Sequence, residues 1–170
     1  MKDSLSNPNN QLMANQEEIF MQVFDKYKKY FPEMLHCSGG LPDSKGEGTS
    51  DVDICLYHKD FKELLKYFPD DTEIHRYDDS VVYELKGYPR EVAIFCTDQP
   101  KWKNGFLHRK TELALNERFP ELRSRAFSLK KESGIGTEEA WARVLGLDHN
   151  FFETLLDTDK TLRIAEKIQM

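Results

Sequence analysis

Residues 34–57 of the chain read MLHCSGGLPDSKGEGTSDVDICLY, and this stretch decides the fold. A short apolar run ends in the pair Gly39-Gly40, ten residues rich in Gly, Ser, Asp and Pro follow, and DVDICLY then alternates polar and apolar side chains. Glycine, proline and short polar residues favour loops, whereas alternation is typical of a half-buried strand. The stretch therefore predicts strand, loop and strand, with Asp51 and Asp53 at the start of the second strand.

The rest of the chain supplies helices on both sides of this stretch and more strands after it. Apolar side chains at helical spacing predict a helix over residues 16–31. After Tyr57 we expect a short helix over 59–68, strands over 72–77, 81–85 and 91–96, and helices over 103–118, 120–132, 137–146 and 149–167, with Thr137, Glu138 and Glu139 starting the third of these four.

This order of elements predicts an α+β fold, in which helices flank a mixed sheet and a helical C-terminal layer covers it. We expect residues 1–15 to be a flexible leader, 16–102 an α/β core and 103–170 a helical part packed on that core.

Composition excludes several classes of protein. Apolar residues make up 39% of the chain and charged residues 32%, and no apolar run approaches the roughly 20 residues of a membrane span. A net charge of −6 argues against broad nucleic-acid binding, which needs a basic surface. The N-terminal residues do not resemble a secretory signal, and three widely spaced cysteines are most simply buried, reduced thiols. A cytoplasmic protein without a membrane partner is expected.

The two aspartates carry the chemistry of residues 34–57. Alternation puts Asp51 and Asp53 on one strand face, about 6–7 Å apart, where a divalent cation relieves their repulsion. Mg²⁺ prefers such carboxylates together with water and phosphate oxygens, and Mn²⁺ is the alternative ion. Gly39 and Gly40 allow the backbone to approach a phosphate closely, although a glycine pair can also simply end a strand.

Three further side chains are candidate phosphate contacts. Ser38 and Ser50 can donate hydrogen bonds to a phosphate, and Lys45 can reach a triphosphate. The alternatives are ordinary turn chemistry for the serines and an exposed loop lysine for Lys45.

The glycine pair, the loop and Asp51-Val52-Asp53 together resemble the signature of the polymerase β-like nucleotidyltransferase superfamily. A looser similarity, from Glu91-Val92-Ala93-Ile94-Phe95 to Leu129-Lys130, is to its GrpB-like branch. The resemblance implies a third carboxylate on a neighbouring strand, for which Glu91 is the candidate metal ligand and base. It also implies that Arg109, near a helix start, contacts substrate.

The function implied by the resemblance is metal-dependent transfer of a nucleotidyl group from a nucleoside triphosphate to an acceptor that the sequence does not identify. The alternative is a catalytically inactive nucleotide- or partner-binding module, for example antitoxin-like, on the same fold.

Overall fold

The computed structural model describes residues 8–41, 51–100, 104–148 and 151–170, and side chains from Gln16 onward within these ranges. The chain divides into two units. The first comprises Met1–Ser38 and Thr49–Gly105, and the second comprises Gly39–Gly48 and Phe106–Met170. The glycine pair therefore belongs to the second unit, whereas the two aspartates belong to the first.

The first unit contains one helix, a five-stranded sheet and a short 3-10 helix among its described residues. The elements are α1 (Pro8–Tyr27), β1 (Leu35–His36), β2 (Val52–Tyr57), the 3-10 helix Phe61–Tyr67, β3 (Glu73–Arg76), β4 (Val81–Leu85) and β5 (Val92–Thr97). The strand order is β1-β2-β5-β4-β3. Only β2 and β5 are parallel, and the other three pairs are antiparallel. The predicted mixed sheet is confirmed.

One face of this sheet is apolar and buried. Alternating residues on the three central strands point to it and form a core cluster with α1 and the 3-10 helix. The strand residues in this cluster are Val52, Ile54, Leu56, Val81, Tyr83, Leu85, Val92, Ile94 and Cys96. The Tyr83 hydroxyl donates to the Phe61 carbonyl at 2.9 Å and accepts from the Leu64 N–H at 3.1 Å. This contact ties the 3-10 helix to the sheet.

Two helix predictions in this unit need correction. Helix α1 begins at Pro8, so residues 8–15 of the predicted leader are helical, and it ends at Tyr27. The amides of Tyr30 and Phe31 both bond to the Tyr27 carbonyl in a turn. The segment predicted as a helix over 59–68 is a 3-10 helix, interrupted by the non-helical backbone of Glu63 (φ −124°, ψ 26°).

The second unit is helical apart from its loops. It contains most of α2 (Asn104–Arg118), α3 (Pro120–Ser133), α4 (Thr137–Leu145), α5 (Phe151–Leu156) and α6 (Thr158–Gln169). Its core cluster includes Leu41, Leu115, Leu122, Trp141 and Leu145. The structure is thus α+β, with a C-terminal helical layer, as predicted.

The last predicted helix, over 149–167, is two helices. Asp157 leaves the helical conformation (φ −101°, ψ 95°), and its side chain accepts from the Lys160 N–H, which caps α6. Helix α4 starts at Thr137, as predicted, and Gly136 is its N-cap, without a side-chain cap bond. Glu138 and Glu139 do lie in the first turn of α4, where negative charge favours a helix.

The three cysteines are free thiols, with Cys55 and Cys96 buried and Cys37 half-buried. A hydrogen bond with Cys55 is the main cause that raises the pKa of Cys37, followed by burial. Burial raises the pKa of Cys96. The Cys37 and Cys96 thiols therefore stay protonated at neutral pH, and the predicted burial is confirmed for Cys55 and Cys96.

Candidate functional site

The predicted acids lie at the start of the two parallel strands. Asp51 precedes β2, Glu91 precedes β5, and the Val52 N–H donates to the Glu91 carbonyl at 2.8 Å. The register pairs Val52 with Val92 and Asp53 with Ala93. Because side chains alternate along a strand, Asp51, Asp53 and Glu91 share the sheet face opposite the apolar core. Asp51 and Glu91 are exposed and Asp53 is half-buried.

The same face carries acids on the two remaining long strands. Across four strands the register aligns Asp53 with Ala93, Ala93 with Glu84, and Glu84 with Glu73. Glu73 and Glu84 were not among the site residues predicted from the sequence. Their signal is the alternation within each strand, but the register that aligns them with Asp53 is a long-range property.

The edge of this row holds a compact group of side chains. His75 Nε2 lies 3.2 Å from Glu84 Oε1. Among the residues that the structure describes, Glu73, His75 and Glu84 are the three whose ligand atoms all lie within 4.8 Å of one another. Asp51, Asp53 and Glu91 are also described, but their ligand atoms do not all lie within 4.8 Å of one another.

A cavity of about 320 Å³ opens beside Glu91 in the first unit. Side chains of both charges line it, including Glu73, Glu84, Lys86 and Arg90. The cavity therefore connects the start of β5 with the edge of the acidic row.

Ser38, a predicted phosphate contact, is buried and bound to the chain itself. Its hydroxyl accepts from the Asp53 N–H at 2.8 Å, lies 3.2 Å from the Asp51 carbonyl in donor geometry and lies 2.9 Å from His36 Nε2. Gln16 Nε2 donates to the same Asp51 carbonyl at 3.0 Å. Ser38 thus fixes the backbone at Asp51 and Asp53.

His36 supports Ser38 from the other side. Its Nδ1 lies 2.7 Å from Glu17 Oε2, and its ring stacks on Phe20 at a centroid distance of 5.0 Å. Gln16, Glu17 and His36 were not predicted as supports. The contacts of Gln16 with Asp51 and of Glu17 with His36 join residues 35 and 19 positions apart, which local sequence patterns do not reveal.

In the second unit the glycine pair lies against side chains of the helices. The Gly40 N–H donates to Glu112 Oε2 at 2.9 Å, and Asn116 Nδ2 donates to the Gly40 carbonyl at 3.0 Å. A Cβ on Gly40 would lie 2.6 Å from Asn116 Nδ2, and one on Gly39 would lie 2.9 Å from Thr137 Oγ1. A Cβ at either position would therefore crowd a side chain of the second unit. The predicted approach of these glycines to a phosphate stays a prediction.

Glu112 is a buried acid with a raised pKa. It is 1% exposed, and burial, followed by the charge of Glu138, raises its pKa to about 8. The Gly40 N–H bond, Arg109 and Lys130 oppose this shift. Lys130 Nζ also donates to Thr137 Oγ1 at 3.0 Å.

Comparison with protein families assigns the chain. The family model described as Domain of unknown function (DUF4269) matches residues 19–158. The chain belongs to this family. The match spans every candidate residue predicted from the sequence, together with Glu112 and Asn116. Comparison with curated proteins gives no significant match.

Of the three remaining predicted contacts of this DUF4269 domain, the structure describes Arg109. Arg109 is buried, 4% exposed, one turn before Glu112 on α2. Lys45 and Ser50 lie outside the described residues. None of the helices in the described ranges has the length and apolar content of a membrane span.

Proposed function

We propose that this DUF4269 domain is a metal-dependent nucleotidyltransferase in which Asp51, Asp53 and Glu91 hold Mg²⁺ or Mn²⁺. The observation that carries the proposal is the parallel pairing of β2 and β5, which puts three carboxylates at the same end of one sheet face. Carboxylate oxygens are the donors that these ions prefer, and exposed acids leave room for water and phosphate oxygens.

The reaction transfers the nucleotidyl group of a nucleoside triphosphate to an acceptor. An acceptor oxygen bonds to the α-phosphorus, the bond to the bridging oxygen of the β-phosphate breaks, and pyrophosphate leaves with that electron pair. We assign the acceptor proton to the Glu91 carboxylate. A bound divalent ion supplies neutralisation of charge on the phosphate oxygens.

Ser38 has a supporting role in this proposal rather than a phosphate-binding one. Its hydroxyl holds both the Asp51 carbonyl and the Asp53 N–H, and this fixes the spacing of the two carboxylates. Orientation of ligands by such hydrogen-bonded neighbours commonly contributes 10–100-fold to metal affinity, as an order of magnitude.

The second candidate function is a nucleotide- or partner-binding module without catalysis. Two observations favour it: the three carboxylates do not close to 4.8 Å as a set, and the Gly40 N–H is already bonded to Glu112. A module of this kind binds a nucleotide but does not release pyrophosphate.

A ligand titration tests the proposal. Mg²⁺ or Mn²⁺ is added with and without ATP, GTP, CTP or UTP, and the free energy of unfolding is measured for the wild type and for Asp51→Asn/Asp53→Asn. Binding at 100 times the dissociation constant stabilises the folded state by about 2.7 kcal/mol. We expect this gain in the wild type and its loss in the double variant.

The matched control is Asp70→Asn/Asp71→Asn, which removes the same charge from two exposed acids of the first unit. It should keep the full metal-dependent gain. If no nucleotide stabilises the wild type in the presence of either metal, the nucleotidyltransferase proposal is wrong. Stabilisation without pyrophosphate release, over a panel of hydroxyl acceptors, supports the binding module instead.

A further inference from the structure

The Gly40 peptide is held at both of its polar groups by one helix. Glu112 accepts from its N–H and Asn116 donates to its carbonyl, and the two side chains lie four residues, or one turn, apart on α2. Both are buried, with exposures of 1% and 8%. We call Glu112, Asn116 and the Gly40 peptide the glycine clamp.

Glu112 is an unusual member of such a clamp, because half of its carboxyl group is buried without a hydrogen bond. Its Oε2 is bonded to Gly40, whereas Oε1 has no partner among the described residues. A buried carboxylate with only one hydrogen bond is costly, so the neutral acid is the favoured form. The neutral acid still accepts from Gly40 through Oε2.

The charged groups around Glu112 come from three helices. Arg109 on α2 and Lys130 on α3 favour the ionised form, and Glu138 on α4 disfavours it. Burial outweighs the two cations, and the pKa of Glu112 rises from 4.5 to about 8. Water reaching the carboxyl group would restore its ordinary ionisation, so the closed clamp and the neutral acid stabilise each other.

We propose that Glu112 is a positioning residue for the glycine pair: as a neutral acid it closes the clamp on Gly40, and its ionisation opens the clamp. The proposal stands on the buried carboxyl group, its one bonded oxygen and the two contacts to Gly40 in the second unit, and it does not depend on the function proposed above.

The test follows the NMR chemical shift of the Gly40 amide. Glycine-selectively ¹⁵N-labelled protein is titrated from pH 5.5 to 9.5 as the wild type, Glu112→Gln and Glu117→Gln. Glutamine keeps an oxygen for the Gly40 N–H but does not titrate, and Glu117 is an exposed acid on the same helix. We expect the Gly40 amide to shift in the wild type and in Glu117→Gln with a midpoint at or somewhat below 8, and to stay constant in Glu112→Gln.

A Gly40 amide that does not titrate in this range in the wild type overturns the proposal. So does an unchanged titration in Glu112→Gln. The wild-type arm needs no variant, so it is decisive even if Glu112→Gln does not fold.

Discussion

The acids of the first unit and the buried acid of the second unit show two uses of the same functional group. Asp51 and Glu91 are exposed at the sheet end, and Asp53 is half-buried. Glu112 is buried among helices and bonded to one backbone amide. Solvent reaches Asp51 and Glu91, so a cation can reach them too. Burial keeps Glu112 from solvent and raises its pKa to about 8, so this acid is mostly neutral at pH 7.

This difference separates binding from support. Acids that bind a cation have to remain accessible to it, and the bound cation relieves their mutual repulsion. A buried acid that holds a peptide gains nothing from its charge. The contrast predicts opposite responses to neutralisation, which the following variants test in order of expected effect on stability.

The largest effect is expected from pH acting on Glu112. Its pKa is higher in the folded protein than in the unfolded chain, so its contribution to stability is fully present below pH 4.5 and is lost as pH rises to about 8. The loss amounts to a few kcal/mol, as an order of magnitude. Urea unfolding at pH 5, 6, 7, 8 and 9 should show this decline in the wild type and a weaker one in Glu112→Gln. Parallel declines in the two proteins would mean that Glu112 is ionised throughout.

A smaller effect is expected from filling the space at Gly40. Gly40→Ala puts a methyl group 2.6 Å from Asn116 Nδ2, and such overpacking costs about 1–3 kcal/mol. Asn116→Ala removes the crowding atom. The double variant should therefore lose less stability than the sum of the two single variants, as measured by urea unfolding in a double-mutant cycle. Additive losses would show that the alanine at Gly40 is accommodated elsewhere.

The smallest effect is expected at the sheet end. Asp51→Asn, Asp53→Asn and Glu91→Gln each remove a charge from a repelling group, so metal-free stability should change by less than about 0.5 kcal/mol or increase slightly. Calorimetric titration should still show weaker binding of Mn²⁺ in each. A large loss of metal-free stability would mean that these acids support the fold instead.

The sequence predicted the fold class and most of the elements, because alternation and helical spacing are local signals. It also contained the break at Asp157, a good N-cap residue that the helical spacing concealed. The parallel pairing of β2 with β5 was not predictable in this way, because register depends on packing between distant segments. The same reason explains why the row from Asp53 to Glu73 was not found.

The glycine pair shows the limit most clearly. Its need for close approach follows from residue type, but the approaching groups, Glu112 and Asn116, lie more than 70 residues away in sequence. Ser38 was likewise the correct residue to single out, with a different partner. Its hydroxyl contacts the backbone of the aspartates, and only the pairing of β1 with β2 brings these groups together.

The parallel pairing of β2 and β5 also affects the order in which the chain folds. Strands β3 and β4 form a local hairpin across a short turn, whereas β2 meets β5 only after the intervening segment 58–91 has been enclosed. Contacts between distant segments form more slowly, because loop-closure entropy is lost before they are made. We therefore expect the hairpin to form early in refolding and the carboxylate end of the sheet to form late. Metal affinity should accordingly appear with the slowest phase of refolding.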